Sequence, residues 1–255
     1  MLNAESSSAA LQKNNKTSRY TVSIAQNESE IRECQRLRFE VFAEEMGAEL
    51  DSGKTGYDYD HFDLHCRHLM VRDTKINKVI ATTRVLINDD AAAAGSYYSE
   101  TEFDISEILA LDKKFMEIGR TCVHADYRTS PAINHLWQGV AKTMIGENAD
   151  YLFGCVSIPM SDKGHYVNSL MRHLREASFM TDSYRVRPKV ELIKKALPES
   201  VDIVLPSLLK RYLNIGAKIC GEPCVDVKFN VADIFVLVDT KNINKRYQRH
   251  FFESA

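Results

Sequence analysis

The stretch FMEIGRTCVHADYRTSPAINHLWQGVAKTMIGE, residues 115–147, decides the fold. Residues 115–123 read as a strand. Ser130-Pro131 then supplies a helix start, a Ser N-cap with Pro at the first helical position. Ile133, Leu136, Trp137, Val140, Ala141, Met144 and Ile145 follow at spacings of three and four, which is an amphipathic helix. A strand feeding a helix N-terminus makes an anion site, because the first-turn N–H groups point out of it. The strand also carries Glu117 and Arg120, two charges in an apolar run. Buried charges are expensive unless paired or used. Three residues apart, the two fall on opposite faces of a regular strand. A bulge at Gly119 would bring them to one side and free a backbone N–H for an oxyanion.

Working outward, residues 20–25 form a strand, and Asn27-Glu28-Ser29-Glu30 resembles a capping box. The helix it opens places Ile31, Cys34, Leu37, Val41, Phe42 and Met46 on one face and ends near Gly47. Arg38, Phe42 and Glu45 lie on one stripe of it. An acidic loop follows with Asp58, Asp60 and Asp63. Residues 68–72 and 79–87 form a hairpin, in which Ile80, Thr82, Arg84 and Leu86 share a face. Residues 88–95 read as a small-residue loop, and Asp104 caps a short helix ending near Leu111. Residues 151–157 are an apolar strand buried on both faces. Helices within 161–178 and at 206–216, and a strand at 232–238, complete the pattern. The expected fold is α/β: a mixed central sheet flanked by helices. The expected organisation is a disordered tail (1–18), a core (19–182) and a basic α/β extension (183–255) packed on the core.

Composition narrows the function. The chain has 255 residues, 44% of them hydrophobic, with a formal net charge of −2. That balance gives no case for nucleic acid. Residues 185–250 hold thirteen Lys/Arg against seven Asp/Glu, a basic surface that suits an acidic protein or an anionic membrane, or is simply solvated. No apolar run is long enough to span a bilayer, and the first twenty residues lack a signal-peptide core. A cytoplasmic protein is expected, with peripheral contact to the inner membrane left open. The six cysteines show no metal-ligand spacing, so no metal is expected. On spacing alone, Glu117 and Arg120 read as a structural pair or as functional groups.

EIGRTCVHADYR resembles the fourth strand and following turn of the GNAT acyltransferase superfamily. That family continues with a glycine loop that holds the pyrophosphate of coenzyme A, whereas here Arg128-Thr129-Ser130-Pro131-Ala132-Ile133 has no glycine. A pyrophosphate cradle needs close backbone approach. The departure therefore fits a donor with one phosphate, phosphopantetheine on acyl carrier protein, used as a co-substrate with no bound cofactor. RLRFEVFAEEMGA, DHFD, ATTRVLI and EIGR are similar to the acyl-homoserine-lactone synthases. The chain is most similar to the bacterial L-ornithine N(alpha)-acyltransferases, often labelled hemolysin-like, through residues 38–48, 60–73, 97–104, 117–128 and 208–237.

The resemblance implies transfer of a (3-hydroxy)acyl chain from acyl carrier protein to the α-amine of ornithine, giving lyso-ornithine lipid. It implies Glu117 and Arg120 as catalytic groups, with Glu117 the base. Arg38 or Arg84 would take the substrate carboxylate, and Asp60 and Asp63 the second ammonium; a structural Arg–Asp network is the equal alternative. Phe42, Phe103, Cys122, Val123, Arg128 and Phe153 would meet the acyl chain and pantetheine. Lys142, Arg185, Arg187 and Lys189 would face the acidic carrier. Other readings keep the enzyme but change the acceptor to glycine or tyrosine, or make it a quorum-signal synthase. A further one makes it a membrane-active, lipid-binding protein whose helix at 206–216 rests on a bilayer.

Overall fold

The computed structural model describes residues 18–194, 203–244 and 247. The tail at 1–18 therefore lies, but for its last residue, outside the described residues, as does most of the C-terminal stretch beyond Asn244.

The apolar alternation and turn residues read above yield ten strands and six α-helices among the described residues. The strands are β1 (Tyr20–Ile24), β2 (Arg67–Asp73), β3 (Lys78–Ile87), β4 (Phe103–Asp104), β5 (Phe115–Val123), β6 (Tyr151–Pro159), β7 (Arg187–Pro188), β8 (Lys218–Ile219), β9 (Cys224–Asp226) and β10 (Val231–Asp239). The helices are α1 (Glu28–Phe39), α2 (Asn88–Ala94), α3 (Ser106–Leu109), α4 (Ala132–Gly146), α5 (His165–Glu176) and α6 (Ser207–Ile215). The main sheet runs β1-β2-β3-β5-β6-β10-β8, with β9 also on β10; β4 and β7 form a separate two-stranded ribbon. Within it only β5 and β6 pair in parallel. Helices α4, α5 and α6 cover one face through Leu136, Val140, Leu170, Leu174, Leu209 and Tyr212. The other face is an aromatic layer that includes Tyr97, Phe103, Phe115, Phe153 and Phe235. Cys34, Leu37 and Val41, on the first helix and its continuation, form a third cluster.

Several expectations change here. Residues 88–95 are not a loop: Asn88–Ala94 is helical, closed by Gly95 at φ +91°, which glycine adopts without strain. Ile80 does not share a face with Leu86. The β2–β3 register skips it, Arg72 facing Val79 and Val71 facing Ala81. Ile80 therefore packs with α4's layer and Leu86 with the aromatic layer. Helix α1 continues as a π-turn, Glu40–Glu45, so Arg38 and Glu45 leave their common stripe: Arg38 is fully buried and Glu45 is exposed. The C-terminal stretch does not sit on a finished core. β10 pairs with β6 over nine residues and is buried from Val231 to Val238, so the expected extension completes the central sheet. Helix α6 spends its apolar face on that core through Leu209, Tyr212, Leu213 and Ile215, which leaves that face unavailable to a bilayer.

Candidate active site

The site forms where two strands part. β5 and β6 are in register from Phe115–Tyr151 to Glu117–Phe153 and no further. Gly154 lies at the fork: a Cβ there would stand 2.3 Å from the Ile118 carbonyl oxygen, so only glycine lets the strands approach before they diverge. The wedge opens into a cavity of about 430 Å³ lined by Ile118 to Val123 on one side and Cys155 and Ser157 on the other. A second hollow of about 530 Å³ lies between α2 and α3, away from the fork.

β5 carries a bulge, at Arg120 and not at Gly119. Gly119 stays opposite Arg84, Cys122 stays opposite Thr82, and Arg120 and Thr121 share Thr83. Arg120 takes up the extra residue at φ +51°, a conformation that costs about 1–3 kcal/mol outside glycine. Thr83 compensates by donating to the Gly119 carbonyl at 3.1 Å and meeting Thr121 Oγ1 at 2.7 Å. The bulge brings Glu117 and Arg120 to the same cavity.

Glu117 is buried, and its carboxylate is met by three donors. Tyr98 N–H gives 2.8 Å, Ser99 N–H 2.7 Å and the Ser99 hydroxyl 2.5 Å. Burial raises its pKa above the ordinary glutamate value, with the Ser99 and Tyr98 donors pulling the other way. The same carboxylate thus fixes the turn at Tyr98–Thr101.

Arg120 is held between two rings, 4.9 Å from the Tyr98 centroid and 4.7 Å from that of Phe229. It donates to Tyr98 Oη at 3.1 Å and turns its other edge to Asp58 and Asp60, at 3.3 and 3.5 Å. Behind it lies a closed charge network. Arg38 pairs with Asp58 at 2.9 Å and Asp63 at 2.7 Å; Arg84 pairs with Asp60 at 2.5 Å and Asp63 at 2.8 Å. Burial would raise the Asp63 pKa, but Arg38 and Arg84 hold it well below the carboxylate range. His68 joins through Asp63 O at 3.1 Å, and burial and Arg38 lower its pKa, which favours the neutral ring. Three arginines thus face three aspartates. Arg38, Asp60, Asp63 and Arg84 do not line the cavity, so of the two expectations for them the structure favours the network over direct substrate contact.

The cavity has its own ionisable set, which the residue pattern did not bring forward. Carboxylate oxygens of Glu102, Asp226 and Asp233 lie within 4.8 Å of one another, and all three residues line the wedge. Asp233 accepts from the Ser157 hydroxyl at 2.7 Å, and Asp226 from Phe229 N–H at 3.1 Å. Burial and then Asp233 raise the pKa of Glu102; burial raises that of Asp233, against the pull of Ser157. Burial also pushes the thiols of Cys122 and Cys155 upward, so neither is a thiolate nucleophile at neutral pH.

Val41, Phe42, Met46, Ile118, Val123, Ile133 and Leu208 form the apolar lining. Of the residues expected to meet an acyl chain, Phe42, Cys122, Val123 and Arg128 are here. Phe103 and Phe153 are not: both are fully buried in the aromatic layer, Phe103 packing on Phe235 at 5.8 Å and Phe153 stacking on it at 5.5 Å. Arg128 is clamped by Glu45 through bonds of 2.5 and 2.6 Å, while Arg211, held by Asn134 at 2.9 Å, brings a second cation to the lining near the start of α4. Tyr98, Ser99, Glu102, Cys155, Asp226, Phe229 and Asp233 escaped the sequence reading as site residues. One signal was available: Asp233 is a charge inside the apolar run of β10, as Glu117 and Arg120 are in β5.

The family description "Acetyltransferase (GNAT) domain" matches residues 37–138. The chain is 32% identical to the L-ornithine N(alpha)-acyltransferase of Rhizobium meliloti (strain 1021), covering 91% of this chain and 84% of that protein. It is 30% identical to the L-ornithine N(alpha)-acyltransferase of Rhodobacter capsulatus, covering 91% and 94%. Among solved structures, the AHL synthase LasI superposes with a TM-score of 0.53 at 12% identity, over 92% of this chain and 95% of that one, which is a likeness of fold.

Proposed function

Because this chain belongs to the L-ornithine N(alpha)-acyltransferase family, we propose that it is an enzyme that moves an acyl chain from a thioester on acyl carrier protein to the α-amine of L-ornithine, giving lyso-ornithine lipid. The observation that carries this reading is the wedge between β5 and β6, where an apolar lining and the Glu117–Arg120 pair meet in one cavity. A thioester laid in the wedge brings its carbonyl to the bulge, where the ladder with β3 is interrupted. A backbone N–H released by a bulge stabilises the oxyanion that forms on attack.

The attacking amine arrives protonated and must lose a proton. Glu117 takes it, directly or through the Ser99 hydroxyl bonded to it. Its raised pKa suits this role, because a base that titrates nearer neutrality both accepts and releases the proton readily. Arg120, bracketed by Tyr98 and Phe229, ties the bulge to the acidic loop through Asp58 and Asp60. The C–N bond forms, the nitrogen gives up its second proton, and collapse of the tetrahedral intermediate breaks the C–S bond, so that the carrier leaves as a thiolate that takes up that proton and an amide remains.

Arg128 and Arg211 are the cations proposed for the single phosphate of phosphopantetheine. The acyl chain would run along Phe42, Val123, Ile133 and Leu208. Among the described residues, no helix is long and apolar enough to cross a membrane.

The test is mass spectrometry of lipids from cells expressing the protein. The expected result is a new N-acyl ornithine that disappears with Glu117→Gln. Acylation of a different amino acid, or no new lipid, contradicts the reading.

A further inference from the structure

The buried charges of this protein balance in one place and fail to balance in another. Arg38, Arg84 and Arg120 are matched by Asp58, Asp60 and Asp63. Glu102, Asp226 and Asp233 crowd their oxygens within 4.8 Å, yet among the described residues none has an ion-pair partner within 4.0 Å. Asp233 is 3% exposed. Oε2 of Glu102 is a buried oxygen with no hydrogen-bond partner among the described residues. An unpartnered buried oxygen is costly, and three converging carboxylates repel one another. The arrangement is stable only if protons or a cation sit among them, and the cluster opens onto the cavity that holds Glu117.

We infer that Glu102, Asp226 and Asp233 form the receptor for the side-chain ammonium of a dibasic acceptor amino acid. This rests on the reading that the acceptor is an amino acid and deepens it by naming the group that selects it. An α-amine at Glu117 and a second ammonium at the cluster place the two nitrogens of one acceptor in a single cavity. A primary ammonium has three N–H donors, matching three carboxylates that each still have acceptor capacity: Asp233 is bonded by Ser157 and Asp226 by Phe229 N–H, while the Glu102 carboxyl faces Cys155 and Tyr98 and its Oε2 makes no well-formed hydrogen bond. Ammonium recognition thus falls not to Asp60 and Asp63, whose charges the arginines already neutralise, but to carboxylates with no ion pair within 4.0 Å among the described residues. A neutral acceptor of the same length would leave the cluster unmatched, so selectivity comes from the penalty of an unpaired buried group.

The experiment is calorimetric binding of L-ornithine and of L-norvaline, its analogue without the δ-amine, to the full-length protein and to Asp233→Asn and Glu102→Gln. Acyl transfer from loaded carrier is measured in parallel. For the wild type, ornithine should bind on the order of a hundredfold tighter than norvaline. Each variant should lose most of that advantage while its norvaline affinity holds and its melting temperature does not fall. Equal binding of the two amino acids, binding of neither, or an advantage kept in both variants overturns the inference. So does binding of Mg²⁺ or Mn²⁺ alone that Asp233→Asn abolishes and that ornithine cannot displace, because the cluster would then be a metal site. Transfer to both amino acids with no preference sinks the inference and leaves the acyltransferase reading standing. Selective ornithine binding without transfer does the reverse.

Discussion

Two charge clusters, one that includes Arg120 and one that lines the cavity beside it, behave as opposites. The network of Arg38, Arg84, Arg120, Asp58, Asp60 and Asp63 is electrically closed: each charge meets an opposite one within 4.0 Å. It faces the protein interior and orients the acidic loop against β3 and β5. The cluster of Glu102, Asp226 and Asp233 is open: it carries one sign and faces the cavity. A closed network holds shape, since breaking it strands a charge. An open cluster waits for a partner from outside. Burial and charge are common to both, so neither property alone distinguishes architecture from recognition; the balance of signs does.

Substitutions in the two clusters should have different consequences. The largest effect is expected from Asp63→Ala. It strips Arg38 and Arg84 of a shared partner, and removing one member of a buried pair typically costs about 3–5 kcal/mol. Urea unfolding should report that loss; a change below about 1 kcal/mol would mean the network is not structural. Glu117→Gln comes next, with turnover falling on the order of a hundredfold or more. Its melting temperature should drop modestly as well, because an amide NH₂ would face donors now met by oxygen. Normal turnover would remove Glu117 from the chemistry.

Asp233→Asn should do the opposite of Asp63→Ala. It relieves like-charge crowding, so the unliganded protein gains on the order of 1 kcal/mol near pH 8, measured by thermal melting, while acceptor affinity falls. A clear loss of stability would put Asp233 with the closed network.

The smallest effect is a pH dependence. Burial and neighbouring carboxylates raise Glu102 to about 8 and Asp233 to about 6. Both are above their unfolded values, so the protonated forms are favoured in the fold. Stability is therefore full below the unfolded pKa, near 4 for such groups, and declines as pH rises through about 6 to 8. The charge that attracts an ammonium grows over the same window. The acceptor KM should fall as pH increases from about 6 to 8, in parallel with a falling melting temperature of the unliganded protein, and the trend should flatten in Asp233→Asn. A KM that rises with pH there contradicts the assignment.

Much of this was legible in the sequence. The spacing of Leu136, Val140 and Met144 announced α4, and the buried charges of β5 announced the site. Arg38, Arg84, Asp60 and Asp63 were identifiable as special, but a residue list cannot say whether an arginine's partner is protein or substrate; that depends on which cluster closes on itself. The bulge was anticipated at glycine because glycine tolerates irregular backbone, yet tertiary contacts to Asp58, Tyr98 and Phe229 impose it on Arg120 instead. The open cluster was hidden by distance along the chain. Glu102 precedes β4, Asp226 ends β9 and Asp233 lies on β10, and they meet only because β10 adds to β6. The strand expected at 232–238 read as simply apolar, although its aspartate raised the same question as Glu117.

Acyl transfer to ornithine is measured most directly with α-15N-labelled L-ornithine and purified protein supplied with 3-hydroxyacyl carrier protein, read by mass spectrometry. The expected product is an N-acyl ornithine with the label in the amide nitrogen, with at least tenfold less product from norvaline at equal concentration. Product acylated on the unlabelled δ-nitrogen, or no amide at all with a competent carrier, would contradict the proposed reaction.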